Sequence, residues 1–320
     1  MNFKTIPKNG ASWRERLLYE LEFEEGEQLV DVEIYDQITQ TVIAKLRLYG
    51  DSISELDIAP YIRTAMAKRD KIAVTNITIS PCSDACRITL ITNGVSSVPR
   101  LYFREDISAL SPKVLSGVAE QATIANGEVI ILTVYALESI SMTLMQPVAA
   151  GGVKTLNYRT NGVPCEVVVP VSRVVDGERI AVSIRCDGGA LVTHSFRVVS
   201  REKSAYRLAW INESGGVECG SFAQSVKRSL EVKFEEVESQ EGWYRRIVSS
   251  KLIRRLSICG VTQREMDRLL GLFLSPVIYR CVGAVVQQVR LLTDEVAFDE
   301  HGRLRKLEFD IEEEWKGGDK

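Results

Sequence analysis

The chain has 320 residues, of which 45% are hydrophobic and 26% charged. This length is enough for two or three compact cores, and the composition is typical of a globular protein. Its 40 basic and 43 acidic residues give a formal net charge of −3, which provides no electrostatic reason to expect a nucleic-acid or membrane-surface partner. The N-terminal segment lacks a secretory signal, and no stretch approaches the roughly 20 apolar residues of a membrane span. We therefore expect synthesis in a reducing cytoplasm and no membrane insertion.

The first part of the chain, residues 1–107, shows the period-two alternation of half-buried antiparallel strands. Residues 17–23, 30–34 and 42–48 each place apolar side chains at every second position. Residues 55–70 interrupt the pattern and predict a single helix, because Ile58, Ile62 and Met66 recur at one-turn spacing. About seven short strands separated by turn residues predict a first β-sandwich domain.

A second strand series fills residues 108–200. It begins with a less periodic connector and continues through six short apolar segments, which are separated by glycine-containing turns such as Gly151-Gly152 and Asn161-Gly162. This pattern predicts a second β-sandwich domain. The fold class expected for the chain is therefore mainly β: tandem antiparallel β-sandwich domains, followed by a C-terminal α+β module carrying one amphipathic helix.

That C-terminal module, residues 201–320, contains the strongest helical signal of the chain, at about residues 262–274. Thr262 and Glu265 have the spacing of a capping box, and Ser275-Pro276 ends the pattern. Residues 243–258 leave the choice between a strand and a mixed segment open, and three strands are expected after the helix. The apolar stripe that we expect to pack on the final sheet consists of Met266, Leu269, Leu270, Phe273 and Leu274.

The residues that usually carry chemistry are scarce. There are two histidines, His194 and His301, and the known short motifs of hydrolases and nucleotide-binding loops are absent. Seven cysteines lie among apolar neighbours, and the one close pair, Cys82 and Cys86, lacks two further ligands for a metal. We therefore predict no catalytic residue, no metal site and no cofactor. The basic residues at positions 245–255 are interpreted as a solvated face or a subunit contact.

Two segments of the C-terminal module resemble structural proteins of phages and prophages that infect Bacteroidetes. They are a strand of the form L-x-W-x-N with a Gly-Gly turn, and a helix ending at Ser-Pro before a final L-x-F-x-I-x-x-E strand. The resemblance covers about the last 115 residues and implies a virion protein of the tail or tail tip. The matching positions are Leu208, Trp210, Asn212, Gly215, Gly216, Ser275, Pro276, Leu307, Phe309, Ile311 and Glu314.

Together these patterns favour a non-enzymatic structural component of a phage or prophage particle. It would be made in the bacterial host cytoplasm, reside in the virion, and assemble with its own copies and with other virion proteins through sheet edges and the C-terminal module. An adhesin that binds a host-surface glycan through exposed tryptophans is the first alternative, and a cell-surface polysaccharide hydrolase is the second. The candidate assembly or binding residues are Trp243, Arg264, Asp267 and Arg268.

Overall fold

The structure is a computed structural model that describes residues 2–24, 29–49, 53–68, 76–117, 122–199, 206–239, 242–261, 263–282, 285–293, 299–301 and 304–314. The N-terminal elements are β1 (Asn2–Thr5), β2 (Ala11–Ser12), β3 (Leu18–Glu22), β4 (Leu29–Asp36), β5 (Thr41–Tyr49), β6 (Ile53–Asp57), α1 (Ala59–Lys68), β7 (Thr78–Pro81), β8 (Cys86–Thr92), β9 (Val95–Ser96) and β10 (Arg100–Phe103). The middle elements are β11 (Lys113–Val114), β12 (Ala122–Ala125), β13 (Val129–Tyr135), β14 (Ser139–Met145), a 3-10 turn (Val148–Ala150), β15 (Val153–Arg159), β16 (Cys165–Pro170), β17 (Arg179–Cys186) and β18 (Leu191–Val199). The C-terminal elements are β19 (Tyr206–Ile211), β20 (Val217–Ser239), β21 (Gly242–Val261), α2 (Gln263–Leu274), β22 (Ile278–Val282), β23 (Val285–Leu291), β24 (Asp299–His301) and β25 (Leu304–Glu314).

The N-terminal sandwich packs the sheet β1-β3-β6 against the sheet β2-β10-β8-β4-β5. Every second residue of β4 is buried, as the alternation predicts. The predicted helix is confirmed as α1. It begins where the Asp57 carboxylate accepts hydrogen bonds from the backbone N–H groups of Ala59 and Leu17, at 3.1 and 2.9 Å. Between the sheets, the hydroxyl groups of Tyr19 and Tyr102 form a buried hydrogen bond of 2.9 Å, so the core satisfies its own polar atoms.

The second sandwich packs the sheet β11-β13-β16-β7 against the sheet β12-β18-β17-β14-β15. Strand β7 comes from residues assigned in sequence to the first domain, yet it pairs with β16 through Thr78–Pro81. All seven residues of β13 are buried, because one face points into the sandwich and the other contacts the C-terminal module. These two stacked sandwiches confirm the predicted fold class.

The C-terminal module is a closed antiparallel barrel. Strands pair in the order β21-β20-β19-β22-β23-β25, and β21 also pairs with β25, which closes the ring. Within the barrel, closure leaves these strands without free edges. The contact between β23 and β25 consists of only two residue pairs. The segment expected to be one strand after the helix is instead the hairpin β22–β23. The predicted short strand at residues 295–298 lies outside the described residues.

Helix α2 packs into the barrel core, but the predicted apolar stripe is partly wrong. Met266, Leu269 and Leu272 are buried, whereas Leu274 is 72% exposed. The ring of Phe273 meets Phe309 edge-to-face at 5.5 Å. Leu272 takes the place of Leu274 because the helix turns a different face toward the barrel interior. The helix ends before Ser275, whose hydroxyl accepts a hydrogen bond from the backbone N–H of Ile211 at 2.9 Å. Thr262 and the Glu265 side chain lie outside the described residues. No helix in the described part of the chain is long and apolar enough to cross a bilayer.

The three modules meet around the buried guanidinium of Arg104. Its side chain is 2% exposed, and its nitrogens lie 3.3 Å from the Asp84 carboxylate and 3.4 Å from the Glu166 carboxylate of β16. Tyr279 of the barrel is close enough for an electrostatic interaction with the same group. Burial disfavours an isolated guanidinium, but the two carboxylates and the tyrosine raise the pKa of Arg104 and keep it charged. This ion cluster holds the modules in one relative orientation.

Removing one partner of the cluster is expected to cost more than removing both. Glu166→Ala removes the buried anion nearest to the buried positive charge of Arg104 and should destabilise the protein by about 3–5 kcal/mol. The double variant Arg104→Met/Glu166→Leu fills the space with apolar atoms and should lose less. Urea denaturation midpoints measure both effects. A loss in the double variant equal to the sum of the losses of the two single variants would contradict the coupling between Arg104 and Glu166.

A second expectation concerns pH and His194 of β18. Its Nε2 atom is buried and has no hydrogen-bond partner among the residues that the structure describes. Burial lowers its pKa from 6.5, so the unfolded chain binds the proton more readily and stability falls as the pH drops from about 6.5 toward the folded-state pKa. His194→Gln should flatten the stability profile between about pH 7 and pH 5. An unchanged slope in urea titrations across this range would contradict the assignment.

Candidate functional site

The most distinctive surface is a two-stranded extension of the barrel. Strand β20 pairs with β19 only as far as Phe222, and β21 pairs with β25 only from Lys251 onward. In the described part of the chain, residues 229–239 therefore pair only with residues 242–253, and residues 242–250 pair only with β20. We call residues 229–239 and 242–250 the arm. At about 3.4 Å per residue, the eight paired positions from Val232 to Ser239 reach about 27 Å beyond the barrel.

Local sequence explains why the arm is extended. Residues 230–235 alternate apolar and charged side chains. Residues 243–258, for which the sequence leaves the choice between a strand and a mixed segment open, form one continuous strand. The strand β21 carries one bulge in the arm, since Lys233 pairs with Ser249 and Phe234 with Ile247. The arm is thus one twisted ribbon with a defined register.

The ribbon has two chemically different faces. Residues opposite each other share a face, which places Phe234 beside Ile247 and Trp243 near the tip on the same side. This apolar face is largely uncovered, because Leu230, Phe234, Ile247 and Trp243 are 50%, 50%, 61% and 70% exposed. The same face also carries Glu236, Arg245 and Glu238, so its exposed apolar side chains stand among charged ones.

The two strands of the arm also differ in charge. Residues 229–239 of β20 carry four glutamates and one lysine, and residues 243–251 of β21 carry two arginines and one lysine. Arg245 lies over the Phe234 ring, with its guanidinium carbon 5.6 Å from the ring centroid, and its Nε lies 3.6 Å from Glu236. Both side chains of this ion pair are about two-thirds exposed, so it adds little to stability. The charged side chains remain accessible to a partner.

An open groove of about 990 Å³ lies at the base of the arm, where the ribbon leaves the barrel. Its apolar lining includes Val248 of the arm and Phe273 at the end of α2, and Lys251 and Glu312 supply charge at its wall. The groove continues the uncovered apolar surface of the arm onto the body of the barrel.

The four residues proposed from sequence do not form one site. Trp243 is on the arm, whereas Asp267 is an exposed residue of α2. Arg264 is also in α2, and its side chain lies outside the described residues. Arg268 was expected to face outward, which is wrong: its side chain is 12% exposed and points into the protein.

Arg268 faces inward because a buried carboxylate and an indole ring bind it. Its guanidinium nitrogen lies 3.4 Å from Glu218 Oε2, and its guanidinium carbon lies 5.3 Å from the centroid of the Trp210 ring. Burial raises the pKa of Glu218, and hydrogen bonding from Asn212 together with the charge of Arg268 opposes that shift. This arrangement clamps α2 to the barrel wall, so Arg268 has a structural role.

Asn212 explains the L-x-W-x-N and Gly-Gly segment that the sequence singled out. Its side-chain amide donates to Leu115 O and to Glu218 Oε1, both at 2.8 Å, and its side-chain oxygen accepts from Gly216 N at 2.8 Å. A Cβ at Gly216 would lie 2.4 Å from the Leu115 carbonyl. Only glycine permits this close contact, and the motif therefore docks the barrel onto the connector between the sandwiches.

The ionisable groups of the interior serve this same packing. Three buried glutamates each bind arginine: Glu166 binds Arg104, Glu218 binds Arg268, and Glu313 binds both Arg254 and Arg280 at 2.8 Å. These three carboxylates are each held by arginine in the interior.

Most of the described cysteines are also buried. Burial raises the pKa of Cys165 and of Cys281 to about 12, which leaves these thiols protonated and unreactive at neutral pH. Cys82 and Cys86 are buried free thiols, and the Cys86 thiol donates weakly to the Tyr102 carbonyl at 3.8 Å. Within the described ranges, no group of three or more potential ligands could hold a metal ion.

Comparisons with known proteins identify no family. No family model matches the chain, and no curated protein matches it. Among solved structures, the chain is similar to the Dpr2 Ig1-Ig2 complex with DIP-Theta Ig1-Ig3 at 9% identity, covering 99% of this chain and 91% of that chain with a TM-score of 0.18. DIP-gamma IG1+IG2 and the Dpr11 IG1 complex with DIP-gamma each match at 11% identity over 62% of this chain and 96% and 98% of theirs, with TM-scores of 0.17. TM-scores this low do not support an argument about function.

The arm's apolar residues should be dispensable for folding. Phe234→Ser and Trp243→Ser are expected to change the free energy of unfolding by less than about 0.5 kcal/mol, because both side chains are exposed. The matched control is Trp210→Ala, which empties a fully buried site and should cost about 3–5 kcal/mol. Urea denaturation compares the three variants. A large loss for the arm variants would show that their side chains are covered within the monomer.

Proposed function

We propose that this protein is a non-enzymatic structural component of a phage or prophage particle, part of the tail or tail tip, which assembles through its C-terminal module. The observation that carries the proposal is the arm: a ribbon of about 27 Å with exposed apolar side chains, projecting from a body whose modules are fixed to one another. A rigid body with an exposed ribbon is suited to repeated contacts between copies.

The resemblance to virion proteins of Bacteroidetes phages supplies the kind of particle. Its matching residues have architectural positions, since Leu208, Trp210 and Phe309 are buried in the barrel core and Asn212 docks the barrel on the connector. The expected partners are further copies of this chain and other virion proteins. The expected location is the virion.

The first test is the assembly state of the purified full-length protein. Size-exclusion chromatography with light scattering and negative-stain microscopy should show rings or larger assemblies. The triple variant Leu230→Ser/Phe234→Ser/Ile247→Ser should shift the population toward single chains without lowering the urea midpoint. A wild-type protein that remains a single chain at all soluble concentrations, and is absent from purified particles by mass spectrometry, would contradict the proposal.

One observation favours a second candidate, a glycan-binding receptor protein. Trp243 presents its ring to solvent at 70% exposure near the tip of the arm, and exposed indole rings stack on the apolar faces of sugars. This function predicts a glycan-array signal that Trp243→Ala abolishes and that Leu230→Ala, a substitution on the same face farther from the tip, retains. The absence of any array signal would contradict it.

A further inference from the structure

We propose that the arms of successive copies join edge to edge in one direction, with the acidic β20 edge of one copy pairing with the basic β21 edge of the next, so that the arms close into a ring. This inference rests on the proposed function as an assembly component. It deepens that proposal by naming the partner, a second copy of this chain, and the surfaces that meet.

Neither outer edge of the arm has a pairing partner among the residues that the structure describes. In the described residues, the 229–239 segment pairs only with 242–253, and nothing pairs with the outer side of either strand before Lys251. The chain contains no proline between residues 171 and 275, so every arm residue has a backbone N–H, and those that point away from the partner strand can join a further ladder. Natural proteins usually block a long free edge with proline, distortion or inward charge. The single bulge at Val248 leaves most of this edge regular.

Charge selects which edges can meet. The arm part of β20 presents Glu231, Glu235, Glu236 and Glu238 against one lysine, and the open part of β21 presents Arg245 and Arg246. Like charges placed directly across a pair of strands are destabilising, and opposite charges are favourable. Two copies meeting through the same edge would set glutamates against glutamates or arginines against arginines. The arrangement that avoids this repulsion joins unlike edges, which is a head-to-tail interface.

The geometry of the ribbon is compatible with closure. The strands β20 and β21 are antiparallel. A rotation about an axis parallel to the arm keeps all arms pointing the same way and makes every junction between copies antiparallel as well. Head-to-tail contacts related by such a rotation close into rings, and the number of strands then sets the diameter. All apolar faces lie on one wall of this ring, and the opposite wall presents Glu231, Lys233, Glu235 and Arg246.

A charge-exchange experiment tests the pairing on the full chain. Variant one, Glu231→Lys/Glu235→Lys/Glu238→Lys, makes the whole arm basic. Variant two, Arg245→Glu/Arg246→Glu, makes it acidic. Each variant alone should run as a single chain in light scattering. An equimolar mixture should recover assemblies, with at least tenfold more material in the ring fraction than either variant alone. In the mixture, the basic edges of variant one can pair with the acidic edges of variant two.

The control is Glu138→Lys/Lys154→Glu, which exchanges exposed charges on the second sandwich and should assemble as the wild type does. Circular dichroism and urea midpoints verify that each variant is folded. If the wild type assembles and both arm variants assemble equally well alone, the edge pairing is overturned and the proposed function stands. A dimer insensitive to both charge reversals would instead indicate packing through the apolar faces and would also overturn the edge pairing. If the wild type never assembles, the proposed function fails with it.

Discussion

The buried guanidinium of Arg104 is the constraint on which the arrangement of the three modules depends. A charge 2% exposed to solvent is tolerated only where carboxylates neutralise it. Those carboxylates come from Asp84, on the N-terminal side of the chain, and from Glu166 in the second sandwich, while Tyr279 approaches from the barrel. Any sliding of one module against another would separate these groups. An unpaired Arg104 would be costly in this low-dielectric interior. The same cost opposes the movement of one module against another.

The same principle recurs at the docking of the barrel. Glu218 joins Arg268 of α2 to Asn212 of the Gly-Gly turn, and Ser116 on the connector donates its hydroxyl to the backbone oxygen of Val217. These bonds align β20 at its first residues. Because β20 is continuous from that point through the arm, the direction of the arm is set by contacts at its base. A ribbon aimed by a rigid base can present its edges to neighbouring copies in a reproducible orientation.

Particular residues show why sequence predicted some parts of the site and missed others. Trp243 is an exposed aromatic, as expected, and lies next to two arginines. The sequence predicts Arg268 on the outer face, because it lies outside the expected apolar stripe. The helix instead turns its Leu272 side into the core, which brings Arg268 within 3.4 Å of Glu218. Leu274, which the same stripe places in the core, is exposed.

The sequence by itself determined the strands, the two helices and the scarcity of reactive groups, because alternation, helical spacing and residue type are local properties. Only the tertiary structure decided that β7 joins the second sandwich, that the C-terminal strands close into a barrel, and that residues 229–250 leave that barrel as an arm. Each of these depends on which strands pair across long separations in the chain. Pairing of that kind is settled by the burial of whole faces and by partners such as Arg104 and Glu166, which lie 62 positions apart in the chain.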